Sequence, residues 1–179
     1  GKMPTYAEAT VEDLSAVVEK FADAAARVQA AGLDGLEIHA GHGYLLDTFL
    51  SPAWNKRTDR YGGSEENRAR LLVEVVEAVR ARCGPGFAIL VRLNGRDDAL
   101  EGGITPDLAA RYAAVAANAG ADAIHVTAYS SITGGPGFTE GPLPWRPCQY
   151  EELARTVKAA VNVPVIAVGR IRPDDGERI

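Results

Sequence analysis

The chain has 179 residues, of which 46% are hydrophobic and 24% are charged, and its formal net charge at pH 7 is -5. This is enough apolar material for one substantial core, so we expect a single domain. The mild acidity gives no reason to expect a nucleic-acid partner, and no apolar run approaches the roughly 20 residues that a membrane span needs.

Helical and strand patterns alternate along the chain. Thr10, Ser64 and Thr105 each precede a run with the helical spacing of apolar residues, where they are placed to act as N-caps. Glycines follow the first three helical runs and favour their termination. Helices are predicted over residues 14–31, 65–82, 105–120 and 150–160, and strands over 35–38, 87–93, 123–127 and 163–168.

The predicted strands are short and almost wholly apolar, which is typical of a parallel sheet buried on both faces. Each is followed by a helix, so about four βα units are expected. We therefore predict an α/β fold that is part of a (β/α)₈ TIM barrel, which takes about 250 residues when complete. A doubly wound sheet is the alternative, but no GxGxxG motif follows any strand.

Long connections after the strands also favour a barrel. They span residues 40–63, 94–104 and 128–149, and barrel enzymes build their sites from loops at the carboxyl ends of strands. The chain opens on Gly1 rather than Met and stops at Ile179, a few residues into a new helical pattern. We expect both ends to be cuts, so that residues 1–179 form the central segment of one barrel domain.

Two cysteines, Cys83 and Cys148, lie far apart and form no CxxC pair. We expect free thiols in a reducing compartment, hence a cytoplasmic protein, with one disulfide between them as the alternative. The N-terminal residues hold no apolar stretch of the kind that a signal peptide needs.

The first long connection begins with two imidazoles and a phenol, His39, His42 and Tyr44, directly after a buried strand. Three interpretations are open. The histidines could bind a metal, although no third ligand is evident, or they could be structural. They could also donate hydrogen bonds to a substrate oxygen, with Tyr44 as the proton source.

Arg92 interrupts an otherwise apolar strand, and a buried guanidinium needs an acceptor. The acceptor is either a carboxylate such as Glu37 or an electron-rich atom of a cofactor. Gly169 and Arg170 follow the last predicted strand, where barrels often bind phosphate. Residues 55–68 are dense in charged and turn-forming types, which indicates a loop locked by its own hydrogen bonds; phosphate binding by Arg57 or Arg60 is the lesser alternative.

The segment HAGHGYLLDTFLSPAWNKRTDRYGGSEENRARLL, residues 39–72, resembles the most characteristic segment of the Old Yellow Enzyme family. The branch that it resembles holds the 2,4-dienoyl-CoA reductases, the enoate reductases and trimethylamine dehydrogenase-like proteins. The resemblance continues through Arg92 to Gly169 and Arg170, and it identifies the chain as barrel strands four to seven.

The resemblance implies FMN as the cofactor and NAD(P)H as the reductant. It implies that His39 and His42 bind the activating oxygen of the substrate and that Tyr44 protonates the substrate. It further implies that Arg92 contacts the N1/C2 carbonyl region of the flavin.

Gly169 and Arg170 match the contacts of the seventh strand to FMN, near its phosphate. One departure from the dienoyl-CoA reductases concerns the loop after the sixth strand, where Ser131 stands nearest to the place of their second catalytic histidine. This favours the two-histidine arrangement of the enoate reductases. The cysteines that hold an iron–sulfur cluster in this branch lie outside the sequence. Such a cluster is possible in the parent protein, but this segment does not ligate it.

The expected activity is NAD(P)H-dependent reduction of an activated C=C bond, in a small α,β-unsaturated carbonyl compound or an enoyl or dienoyl thioester. Two alternatives remain: a phosphate-binding barrel lyase or isomerase without flavin, and an inactive half-barrel fragment. A homo-oligomer is compatible with the sequence.

Overall fold

The computed structural model describes residues 7–98, 100–130 and 147–179, and helices and strands alternate through these ranges. In chain order the elements are α1 Val11–Ala30, β1 Gly35–Ala40, α2 Leu45–Leu50, α3 Glu65–Cys83, β2 Ala88–Asp98, α4 Pro106–Asn118, β3 Ala123–Ser130, α5 Glu151–Lys158, β4 Val165–Ala167 and α6 Pro173–Arg178. The helix caps predicted from the sequence are confirmed. The side chains of Thr10, Ser64 and Thr105 accept hydrogen bonds from backbone N–H groups in the first turns of α1, α3 and α4.

The four strands form one parallel sheet in the order β1-β2-β3-β4. Successive strands are therefore neighbours in space, as they are in a barrel, whereas the strand order of a doubly wound sheet reverses. This order confirms the predicted α/β fold with parallel βα units and argues against the doubly wound alternative.

The two faces of the sheet differ in character. Ile38, Ile89 and Ile124 point towards the helices and are fully buried. The opposite face carries His39, Arg92 and His125, which are register partners on adjacent strands. A row of polar side chains therefore crosses the sheet on the face that the helices leave open.

Several element boundaries differ from the prediction, and β1 and β3 run two and three residues beyond their predicted ends, to Ala40 and Ser130. β2 runs to Asp98 rather than to residue 93, and a register shift between Asn94 and Asp97 marks a bulge. The strand continues through polar residues because Asn94 and Asp97 have buried hydrogen-bond partners. β4 and α5 are shorter than predicted, and the six-residue α2 was not predicted at all.

The loop at residues 55–68 is held by its own hydrogen bonds, as predicted. Asn55 donates to the carbonyl oxygens of Phe49 and Tyr61, both at 2.7 Å. Arg57 is bound by Asp59 on one side and by the Ala9 carbonyl on the other, so its guanidinium is engaged within the protein. These contacts favour the structural interpretation of the loop over phosphate binding.

Both cysteines are buried free thiols, which confirms that part of the prediction and argues against a disulfide between them. Among the helices of the described ranges, none combines the length and the apolarity that crossing a bilayer requires.

Candidate functional site

Three aromatic side chains gather where β1 ends. The His39 ring centroid lies 4.8 Å from that of His42, with an interplanar angle of 70°. It lies 5.3 Å from that of Tyr44, whose side chain is on the surface, since 63% of the residue is exposed. The structure therefore brings the predicted histidine pair and the predicted proton donor into one cluster, with the phenol towards solvent.

The His42 ring reaches this cluster through a turn of unusual conformation. His42 and Gly43 have φ values of 60° and 72°, in the left-handed region that residues other than glycine rarely adopt. Two hydrogen bonds hold the turn: His42 N donates to Asn94 Oδ1 at 3.1 Å, and Gly43 N donates to Asp47 Oδ2 at 2.8 Å. The strain in the turn is therefore offset by bonds to buried side chains.

These bonds belong to a buried polar network beneath the turn. Asn94 Nδ2 donates to both oxygens of Asp47, at 3.1 Å, and to Asp97 Oδ1 at 2.9 Å. Asp97 also accepts from the Ser51 hydroxyl at 2.9 Å. Burial, and then the nearby negative charge of Asp97, raise the pKa of Asp47 to about 7. Two carboxyl groups thus lie in one buried network, joined by Asn94.

Both histidines have pKa values below the usual one, which favours their neutral forms. Burial, followed by the positive charge of Arg92, lowers the pKa of His42 to about 4. The same two causes, in the same order, lower the pKa of His39. A neutral imidazole has a single N–H, so each ring can donate only one hydrogen bond.

Arg92 lies on β2 as the register partner of His39, on the polar face of the sheet. Its Nε is buried and has no hydrogen-bond partner among the described residues. The alternative acceptor, Glu37, instead lies 2.8 Å from His125 Nδ1. Arg92 therefore has a buried donor without a hydrogen-bond partner among the described residues, which is uncommon for a buried polar atom.

Gly169 and Arg170 follow β4, at the carboxyl end of the sheet like the other predicted residues. Gly169 has a φ of 114°, and a Cβ atom there would lie 3.0 Å from the Tyr150 ring. The fold itself thus requires a glycine at this position. A role in phosphate binding for Gly169 and Arg170 stays a prediction, and Ser131 lies outside the described residues.

Sequence reasoning missed the residues that support the histidines. Asp47, Asn94 and Thr127 are fully buried or nearly so, and each contacts the His42 turn. One signal was available: Asn94 stands two residues after Arg92, which in a strand places both on the same face. Asp47 gave no comparable signal, because it lies in the short helix α2.

The metal-binding interpretation of the histidine pair requires further ligands close to it. Within residues 7–98, 100–130 and 147–179, no three His, Cys, Asp or Glu side chains are grouped as a metal site would require. The histidine pair lies beside an exposed phenol, with an arginine on the adjacent strand.

A parallel βα sheet with these groups at the carboxyl ends of its strands defines a site of the barrel-enzyme class. The chain belongs to the NADH:flavin oxidoreductase / NADH oxidase family, whose profile matches residues 3–179. This confirms the Old Yellow Enzyme resemblance, with FMN and NAD(P)H as the family's cofactor and reductant, and it argues against a lyase or isomerase without flavin.

Three relatives illustrate the match. The chain is 39% identical over 167 residues to an NADPH dehydrogenase of Clostridium acetobutylicum, covering 93% of this chain and 47% of the relative. It is 43% identical over 176 residues to a metal reductase of Desulforamulus reducens, covering 98% of this chain and 26% of the relative. Among solved structures, a complex of 2-naphthoyl-CoA reductase with 2-naphthoyl-CoA superposes with a TM-score of 0.85 at 32% identity, covering 96% of this chain and 26% of that one. The chain thus spans between about a quarter and a half of these relatives.

Proposed function

We propose that the protein containing this chain reduces an activated C=C bond, conjugated to a carbonyl or thioester group, with NAD(P)H as the reductant and FMN as the cofactor. The observation that carries the proposal is the pairing of two neutral histidines beside Tyr44. A carbonyl oxygen accepts hydrogen bonds and gains negative charge as the conjugated alkene is reduced. Two donors placed together stabilise that charge.

The open face of the sheet fits FMN. The buried Arg92 Nε needs an acceptor, and the electron-rich N1/C2 carbonyl region of a flavin ring would supply one. Gly169 and Arg170 would then lie towards the phosphate. Bound FMN would supply the hydride that adds to the β-carbon of the alkene.

His39 and His42 orient the substrate by its oxygen, one N–H from each ring. Because both rings are neutral, they polarise the carbonyl group without competing with Tyr44 as acids. Tyr44 lies beside His39 and delivers its phenolic proton to the α-carbon. Its exposure allows solvent to return that proton after each turnover.

The proposal is tested by turnover of 2-cyclohexen-1-one and of cyclohexene by the full-length protein with NADH or NADPH. The first substrate has an oxygen for the histidine pair and should be reduced to cyclohexanone. The second lacks that oxygen and should not react. Loss of a polarising donor costs about 10²–10³ in rate, so His39→Ala and His42→Ala should each slow the reaction by that order. Equal turnover of both alkenes, or normal turnover in both variants, would contradict the proposal.

A further inference from the structure

One contact of His42 decides which of its nitrogens can serve a substrate. Its Nε2 lies 2.9 Å from Thr127 Oγ1. Thr127 is fully buried on β3 and is the register partner of Asn94 on β2, which holds the backbone of His42. The ring therefore crosses from the end of β1 over β2 to β3, and the left-handed conformation of His42 carries it there.

Two hydrogen-bond arrangements fit this distance. If the single proton of the neutral ring is on Nε2, it is donated to Thr127, and Nδ1 presents a lone pair. A carbonyl oxygen also presents lone pairs, so the two atoms would repel each other. If the proton is on Nδ1, the Thr127 hydroxyl donates to Nε2, and Nδ1 is left as a donor.

We propose that Thr127 is a positioning residue that donates its hydroxyl hydrogen to His42 Nε2 and thereby fixes the ring as the Nδ1–H tautomer, with Nδ1–H directed at the substrate oxygen. The proposal rests on the proposed function, because only an accepting substrate oxygen requires a donor at Nδ1. The tautomer itself can nevertheless be observed without any turnover.

The pKa of His42, lowered by burial and by Arg92, keeps the ring neutral at ordinary pH, so a tautomer choice exists. An unrestrained neutral histidine in water favours Nε2–H, which makes Nδ1–H a distinctive signature of the Thr127 contact. The turn bonds from Asn94 and Asp47 fix the backbone, so the ring cannot satisfy Thr127 by moving away from the cluster.

The test is ¹⁵N NMR of the full-length flavoprotein labelled at histidine, with the His42→Gln variant used to assign the His42 signals. The wild-type protein should show a protonated Nδ1 and an unprotonated Nε2. Thr127→Val keeps the side-chain shape but removes the hydroxyl, so the signals should move towards Nε2–H or a mixture of tautomers. Thr127→Ser keeps the hydroxyl and should restore the wild-type pattern.

A second readout is the affinity for 4-hydroxybenzaldehyde, whose phenolate oxygen accepts hydrogen bonds. Thr127→Val should weaken binding about 5- to 10-fold, and Thr127→Ser should bind nearly as the wild type does. A wild-type spectrum with the proton on Nε2 would overturn the proposal, even if Thr127→Val failed to fold. So would a Thr127→Val protein with unchanged tautomer and affinity. Failure of alkene reduction alone, with Nδ1–H observed, would count against the proposed function and leave the tautomer assignment standing.

Discussion

Replacing Gly41 by alanine should disturb the histidine pair without touching either ring. A Cβ atom on Gly41 would lie 2.8 Å from Asn94 Oδ1, whereas ordinary contact begins at 3.4 Å. Asn94 must therefore move, or the turn must. Either movement lengthens the 3.1 Å bond from His42 N to Asn94 Oδ1 towards the limit of hydrogen bonding.

The expected loss of stability in Gly41→Ala follows from the burial of Asn94. Asn94 is only 1% exposed, and a buried polar group that loses its partner costs about 1–3 kcal/mol. We expect Gly41→Ala to lower the free energy of unfolding of the full-length protein by that amount. Because the turn carries His42, it should also weaken the binding of 4-hydroxybenzaldehyde by about 5-fold or more, as measured by absorbance titration.

Gly86→Ala is the matched control. Among the described residues, leaving aside its two chain neighbours, no atom lies within 4 Å of a Cβ placed on Gly86. Its φ is not in the left-handed region either, so the substitution should change neither the stability nor the affinity. Stability and affinity for Gly41→Ala equal to those of Gly86→Ala would refute the inference that Asn94 holds the His42 turn.

Four further results are expected of the full-length protein. Tyr44→Phe should slow reoxidation of the flavin by an alkene about 10²- to 10⁴-fold and should leave reduction of the flavin by NAD(P)H unchanged. Equal slowing of both steps in stopped-flow experiments would refute Tyr44 as the proton donor. Arg92→Lys should weaken FMN binding about 10-fold or more, because a point charge replaces a planar donor group, and unchanged affinity in a fluorescence titration would argue against the contact. The C2 proton of His42 should titrate near pH 4 by NMR, and a midpoint near 6.5 would contradict its burial. Because the pKa of His42 in the folded protein lies below the usual 6.5, its contribution to stability is present above pH 6.5 and is lost as the pH falls through about 4. Asp47 should give the opposite pH dependence of stability, because its pKa is raised from 3.8 to about 7. Its contribution to the free energy of unfolding is present below pH 3.8 and is lost as the pH rises through about 7. The free energy should change by at most about 1.4 kcal/mol per pH unit. The stability of the wild type relative to Asp47→Asn, from denaturant unfolding, should therefore fall over this range, and a constant difference would refute the assignment.

The sequence predicted the fold because local signals agreed with one another. Caps such as Thr10 and Ser64 and the apolar strands mark each βα unit, and parallel strands bring their carboxyl ends to one edge. The positions of His39 and Arg92 follow directly, because both lie within strands and are register partners.

The supporting residues could not be predicted in this way. Thr127 contacts His42 across an intervening strand, and Asp47 reaches Gly43 from a helix only six residues long. Such contacts depend on the left-handed turn at His42 and on the bulge after Asn94, which hydrophobic periodicity does not encode. Apolar patterning therefore locates the site, whereas the buried polar network that shapes it depends on tertiary structure.

We have proposed that these residues bind a flavin that passes electrons to an activated alkene. The most direct measurement is the visible absorption spectrum of the purified full-length protein under anaerobic conditions. We expect bound flavin absorbance that NADH or NADPH bleaches and that 2-cyclohexen-1-one, added afterwards in equimolar amount, restores. A protein without bound flavin, or a reduced flavin that the alkene leaves bleached, would contradict the proposed function.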